Sequence, residues 1–229
     1  MQQIILSWSG GKDSALALDH LRHDPHVRVV ALLTSVTEAY DRISIHGVRR
    51  SLLRAQAAAT GLPLHEIVLQ PTCTNEEYGA AVSRALTELA AHFPDARSVA
   101  FGDLFLEDVR RYREERMQPI GYECVFPLWG LDTAALARDF VNRGFEARLV
   151  CVDTTQLDRS FSGRAYDHAL LDALPASVDP CGERGEFHTF VSSGPVFAAP
   201  VPYAVGETVL RDGRFAYCEL MESADPLLT

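Results

Sequence analysis

No stretch of the 229-residue chain approaches the ~20 consecutive apolar residues that a membrane-spanning helix needs, so a membrane location is not expected. Paired cysteines are missing as well. The five present (Cys73, Cys124, Cys151, Cys181 and Cys218) are scattered, odd in number and contain no C-x-x-C, which argues against a disulfide framework or a cysteine-rich zinc site. A reducing cytoplasm is the expected compartment. There is no basic surplus either: 21 Lys and Arg against 31 Asp and Glu give a net charge of −10, and bulk nucleic-acid binding is not expected of such a surface. Internal repeats, low-complexity tracts and a basic leader are absent, and Gly10-Gly11-Lys12-Asp13 interrupts the first apolar run before a signal-peptide core forms. What remains, 47% hydrophobic and 23% charged, is the composition of a globular protein of one large domain or one domain with an annex.

Over the first two thirds, short β-branched runs alternate with longer helical patterns, which argues for a mostly parallel sheet covered by helices. Strands are expected at 4–8, 27–34, 64–69 and 98–101, with a candidate strand at 123–126 and a further apolar run at 147–152 completing a sheet of five or six strands. Helices are expected at 12–22, at 43–60 with Gly61 as the stop, at 75–92 with Thr74 or Asn75 as cap, at 107–117 and at 131–143. Beyond Asp153 the pattern becomes Pro- and Gly-rich, with a short helix at 166–173 and strands near 187–191 and 208–220. The expectation is an α/β domain over 1–153 and a smaller α+β portion over 154–229.

The most informative segment is Ser9-Gly10-Gly11-Lys12-Asp13-Ser14, directly after an apolar strand and directly before an amphipathic helix. Adjacent glycines let the backbone turn tightly and bring N–H groups to an anion, while the helix aims its positive end at the same point. Ser9 and Ser14 offer hydroxyls, and Lys12 a point charge. Asp13 beside phosphates is resolved by a bridging Mg²⁺, with Asp13 as its ligand. Spacing excludes a Walker A loop, which requires Gly where Leu6 stands, and no G-x-G-x-x-G occurs.

Ser9-Gly10-Gly11-Lys12-Asp13-Ser14 resembles the pyrophosphate loop of the N-type ATP pyrophosphatases of the adenine nucleotide α-hydrolase superfamily. The resemblance implies a doubly wound parallel sheet of five strands and cleavage of ATP between its α and β phosphates, and the Brändén rule for such sheets puts the ligand at the same strand ends. Gly102-Asp103, Arg110, Arg113-Glu114, Gly121 and Pro127-Leu128-Trp129, with Asp179 to Phe190 further on, resemble the diphthine–ammonia ligase group of that superfamily. The likeness runs from about Ile4 to about Phe197. One departure stands out: some members carry Glu-Tyr-Glu-Thr where this chain has Glu186-Phe187-His188-Thr189.

Read on the residues alone, Asp103 is either a strand-end cap or a ligand for Mg²⁺ or a substrate amine. Most charges of 107–116 read as a solvated, salt-bridged helix face. Gly182-Glu183-Arg184-Gly185-Glu186 is a flexible acidic turn suited to present Glu183, Glu186 and His188 over a pocket. Trp129, Tyr122, Phe187 and Phe190 are either core packing or aromatic faces for a cation. Cys124 and Cys181 read as buried fillers.

The expected activity is therefore that of an AMP-forming amide ligase that uses ATP and Mg²⁺, adenylates a carboxylate and releases pyrophosphate before ammonia or another amine displaces AMP. Expected catalytic residues are Lys12, Asp13, Asp103, Glu183, Glu186 and His188. Nucleotide contacts are expected from Ser9 to Ser14, from Gly102, and from Leu33, Thr34 and Ser35 at the adenine edge; Arg110, Arg113, Glu114 and Trp129 are assigned to the acceptor. The resemblance implies as acceptor a modified histidine, diphthine, on elongation factor 2, and leaves room for a homo-oligomer. Two alternatives remain open: a tRNA-modifying ATP pyrophosphatase, and an ATP-binding module without chemistry.

Overall fold

The computed structural model describes residues 1–37, 42–43 and 47–223. Its first sheet has five parallel strands, β1 (Gln2–Ser7), β2 (Val27–Thr37), β4 (Leu64–Leu69), β5 (Ala96–Ala100) and β6 (Glu123–Val125), with a two-residue β3 (Arg42–Ile43) antiparallel to the end of β2. In space the parallel strands run β4-β2-β1-β5-β6. The chain therefore builds outward from β1 in one direction and then returns to lay β5 on its other side. The crevice beyond the carboxyl ends of β1 and β5 is the switch point at which such sheets take ligands.

Among the described residues, six α-helices cover the sheets: α1 (Lys12–His23), α2 (Arg50–Thr60), α3 (Asn75–His92), α4 (Glu107–Met117), α5 (Thr133–Asn142) and α6 (His168–Ala173). Alternation along β1 sorts them into layers. Ile4 and Leu6 pack with α1, α2 and α5, whereas Ile5 points into a second core filled by Ala81, Leu86 and Leu89 of α3 and Met117 of α4. Local signals set the helix ends. Gly61 closes α2 at φ 72°, and Thr74 and Glu77 form a reciprocal capping box at the start of α3.

A second, antiparallel sheet runs β8-β7-β10-β9, from β7 (Glu146–Asp153), β8 (Phe187–Ser193), β9 (Tyr203–Arg211) and β10 (Phe215–Glu222). Its inner face shares one core with the first sheet: Leu149, Phe187, Phe190 and Leu220 belong to the same buried cluster as Leu6, Leu16 and Leu53. No helix among the described residues is long and apolar enough to cross a membrane.

Three expectations are corrected. The apolar run at 147–152 does not complete the first sheet; as β7 it pairs with β8 and β10, so the second sheet begins ahead of the expected border at 153. Its five last residues are all buried, a pattern that fits a central strand of either sheet. The strand expected over 208–220 is a hairpin that turns at Asp212 (φ 52°) and Gly213 (φ 62°), an Asp-Gly pair suited to the positive dihedrals of a tight turn. Finally, the helix expected over 43–60 begins at Arg50; Ile43 lies in β3, Gly47 sits at φ 70°, and 44–46 fall outside the described residues.

Phe140 of α5 is wholly buried, stacks on Phe145 with ring centroids 4.7 Å apart and meets Tyr166 edge-on at 5.5 Å. Phe140→Ala is expected to cost about 3–5 kcal/mol of unfolding free energy, measured by urea denaturation; a loss below about 1 kcal/mol would contradict this role in the shared core.

Candidate active site

β1 ends at Ser7 and α1 begins at Lys12, so the glycine loop spans the junction. Gly10 sits at φ 72°, a dihedral that favours glycine, and a Cβ there would lie 2.2 Å from the Gln56 Oε1 and push that side chain aside. Gly11 is the N-cap and offers no side chain, which leaves the amino end of α1 open toward the loop. The Ser14 hydroxyl donates to the Gly11 carbonyl at 2.8 Å, and the Ser9 hydroxyl donates to Ser14 Oγ at 3.3 Å. Two bonds tie the loop to β8 of the other sheet: Val191 N–H donates to the Gly10 carbonyl and Lys12 N–H to Thr189 Oγ1, each at 3.0 Å.

Lys12 is 2% exposed, and its Nζ stands 2.7 Å from both Asp13 carboxylate oxygens. Burial pulls the ammonium pKa down, but Asp13 and the nearby Cys181 and Glu183 outweigh it and leave the pKa above its ordinary value. Burial raises the Asp13 carboxyl; Asp103 and Asp179 push it the same way, against Lys12. Negative charge is thus in surplus here. Gly102, just past β5, lets that strand end approach the loop: a Cβ would lie 2.9 Å from the Asp13 carbonyl.

The acidic turn at 179–186 forms the opposite wall, and its shape comes from its own hydrogen bonds. Asp179 accepts from Cys181 N–H at 2.9 Å and from Thr133 Oγ1 at 2.7 Å, while Glu186, 1% exposed, accepts from Asp179 and Arg184 N–H at 2.9 Å each. Glu183 is thereby held against the loop, with Oε1 accepting from Leu104 N–H at 2.7 Å. Burial, with help from Asp13 and Asp103, raises its carboxyl to about 7 against the pull of the Leu104 N–H and Lys12.

Two cavities open at this point. The smaller, about 260 Å³, is lined by the loop from Gly11 to Ser14, by Gly102 and Asp103, and by Glu183 and His188. The larger, about 540 Å³, is mainly apolar and includes Leu33, Thr34, Ser35, Tyr78 and Tyr112. They meet at Ser7, Ser9, Phe101 and Arg113, which line both. Arg113 is held at this neck by Asp103 at 3.3 Å and lies over the Phe101 ring at 4.7 Å. A polar, loop-lined chamber joined to an apolar one suits a molecule with a polyanionic end and an aromatic end.

The structure brings together Ser9, Gly11, Lys12, Asp13, Ser14, Gly102, Asp103, Arg113, Glu183 and His188 in the smaller cavity, and Leu33, Thr34 and Ser35 in the larger. Other candidates stand apart. Glu186 spends both carboxylate oxygens inside the turn. Arg110 pairs with Glu114 at 2.9 Å and lies against the rings of both Phe126 and Trp129, at 4.9 and 4.8 Å; none of Arg110, Glu114 and Trp129 lines either cavity. Tyr122 is buried with its hydroxyl on the Leu86 carbonyl, and Phe190 packs against Tyr203, so neither is an open face for a cation, whereas Phe187 does line the smaller cavity. Burial raises the thiols of Cys181 to about 12 and Cys124 to about 11, which keeps both protonated at neutral pH.

Thr189 and Gln56 are contacts that the motifs do not disclose. A further signal is compositional: Lys12 is the chain's only lysine, every other cationic side chain of the 21 being arginine. An arginine fork is wider and planar, and the buried slot beside Asp13 and Phe187 holds a compact ammonium.

A five-stranded parallel sheet with this loop at its switch point defines a phosphate-loop ATP pyrophosphatase-like protein. Comparison with known families narrows that class. The model of the diphthamide synthase N-terminal domain matches residues 1–122 and that of the diphthamide synthase C-terminal domain residues 132–210, and the chain belongs to the diphthamide synthase family. The diphthine–ammonia ligase of Schizosaccharomyces pombe is 26% identical over 206 residues, covering 82% of this chain and 34% of that protein. The diphthine–ammonia ligase of Danio rerio is 27% identical over 236 residues, covering 91% of this chain and 89% of that protein. The chain thus spans about a third of the length of the fission-yeast relative and nearly all of the zebrafish one.

The raised Glu183 carboxyl has a measurable consequence. Because its folded pKa lies above the unfolded value, its contribution to stability is complete below about 4.5 and lost as pH rises through about 7. Glu183→Gln keeps an acceptor for Leu104 N–H and does not titrate. Between pH 5 and pH 8 the unmodified protein is expected to lose more stability than Glu183→Gln, read from urea midpoints; parallel pH profiles would contradict the assignment.

Proposed function

We propose that this chain is an ATP-dependent, AMP-forming amide ligase of the diphthine–ammonia ligase type. The observation that carries the proposal is the neck at Arg113 between a phosphate-loop chamber and an apolar chamber. With adenine by Leu33, Thr34 and Ser35 and the β and γ phosphates in the loop, the α-phosphate falls at the neck. Attack there by an acceptor carboxylate forms the acyl-adenylate and releases pyrophosphate; ammonia then displaces AMP to leave the amide. The relatives' name supplies the acceptor and the amine, and a modified histidine on elongation factor 2 is the acceptor proposed.

Each residue near the neck has a role in this reading. Ser9, Ser14 and the N–H groups at the start of α1 hold the departing pyrophosphate, and Lys12 neutralises it, so that catalysis is mainly positioning and electrostatic stabilisation. Arg113 is placed to meet charge developing on the α-phosphate. Asp103 orients Arg113 through their ion pair. The surplus carboxylates fit Mg²⁺. Among the described residues no three acidic, His or Cys groups converge as a metal cage, which suits a cation that takes one or two protein carboxylates and completes its shell with phosphate oxygens and water. Asp13 and Asp103 are the residues proposed to hold it, and its chemistry there is charge neutralisation of the phosphates. Five unpaired cysteines fit a reducing cytoplasmic setting.

The test is a product assay with Mg-ATP, ammonium and a panel of carboxylate acceptors that includes modified elongation factor 2. AMP and pyrophosphate are expected in equal amounts and only with the right acceptor; ADP and phosphate would overturn the proposal. In the same assay Lys12→Arg, which keeps the charge but not the compact ammonium, is expected to lower kcat by about 10²-fold or more, the scale of losing one preorganised donor; near-normal turnover would show that any cation suffices at that position.

A further inference from the structure

We infer that Gln56 of α2 is a positioning residue for the phosphate loop, one that sets the direction in which the Gly10–Gly11 peptide faces the anion. Its side-chain amide is wholly buried and donates to two carbonyls at once, Gly10 at 2.9 Å and Val191 at 2.6 Å. The Gly10 carbonyl also accepts from Val191 N–H at 3.0 Å, so it is held from two sides, by a helix of one layer and a strand of the other sheet. A peptide unit is planar and trans, with its N–H pointing opposite to its C=O. Pinning the Gly10 carbonyl toward Gln56 and Val191 therefore turns the Gly11 N–H the other way, onto the Ser9 hydroxyl at 3.3 Å, and Ser9 and Gly11 both line the smaller cavity where an anion would compete for that donor. Without that restraint a Gly-Gly peptide is the part of the loop freest to rotate.

The cost of keeping a glutamine here supports a role beyond packing. Its neighbours on the buried face of α2 are Leu52, Leu53 and Ala57, and among the described residues its own Oε1 has no hydrogen-bond partner. An unpaired buried acceptor is destabilising, and an apolar residue of similar shape avoids that penalty. The two donor bonds are what such a replacement cannot supply. Gln56 thus acts through the backbone and makes no contact with a ligand.

This inference rests on pyrophosphate binding in the loop, and calorimetry with inorganic pyrophosphate and with AMP separates the two questions. Gln56→Met keeps the bulk and removes both donors; pyrophosphate binding is expected to weaken about tenfold, roughly the loss of one well-placed hydrogen bond, while AMP binding changes less than about twofold. Gln56→Glu puts an acid against two carbonyls, a setting that raises its pKa. Its pyrophosphate affinity relative to the unmodified protein is expected to recover as pH falls from 8 to 5.5, because only the neutral acid donates. Equal weakening of pyrophosphate and AMP by Gln56→Met, or a pH-independent ratio for Gln56→Glu, would overturn the positioning role. Pyrophosphate binding by Gln56→Met equal to that of the unmodified protein would overturn this inference alone, whereas an unmodified protein that binds no pyrophosphate would overturn the ligase reading with it.

Discussion

The bond from Lys12 N–H to Thr189 Oγ1, between residues 177 apart in the chain, is the constraint on which the site depends. A glycine turn that gathers N–H groups, a lysine and an aspartate around a polar chamber gains little rigidity from its own residues. It is held instead from outside, by β8 at Gly10 and Lys12 and by α2 at Gly10. Because both sheets share one buried cluster, movement of β8 away from the loop would have to open packed core, which close-packed interiors resist.

That arrangement also explains where the charges lie. Lys12 and Asp13 neutralise each other at 2.7 Å, Arg113 and Asp103 do so at 3.3 Å, and Glu183 adds a carboxyl whose proton comes off only near neutral pH. Lys12 and Arg113 each have an anionic neighbour in the smaller cavity, yet carboxyls outnumber them there, while Arg116 of the larger cavity donates to the Asn75 carbonyl.

Much of this was legible in the sequence because it is local. The loop, the Gly61 stop and the Thr74 cap each depend on residues within a few positions, and all stand where the pattern puts them. The chemistry of Glu186 was not legible: its residue type matches Glu183, and only the closed turn shows that one carboxylate is spent on backbone N–H groups while the other faces the loop. Gln56 and Thr189 escaped for the opposite reason, since their significance lies in partners 46 and 177 positions away. β7 reads from sequence as a strand of the first sheet because a strand buried on both faces has no periodicity with which to choose its neighbours. The lone lysine was visible from the outset, and composition carries that signal more plainly than any spacing rule.

Sharing the loop between two sheets also bears on how the molecule comes into being. A ribosome delivers β1, α1 and the whole parallel sheet well before Thr189 and Val191 emerge, and closing so wide a span is the slow, entropically expensive part of folding. Until then the glycine turn lacks the strand that shapes it. A nascent or half-collapsed polypeptide therefore lacks the shaped loop, which comes only with the completed architecture.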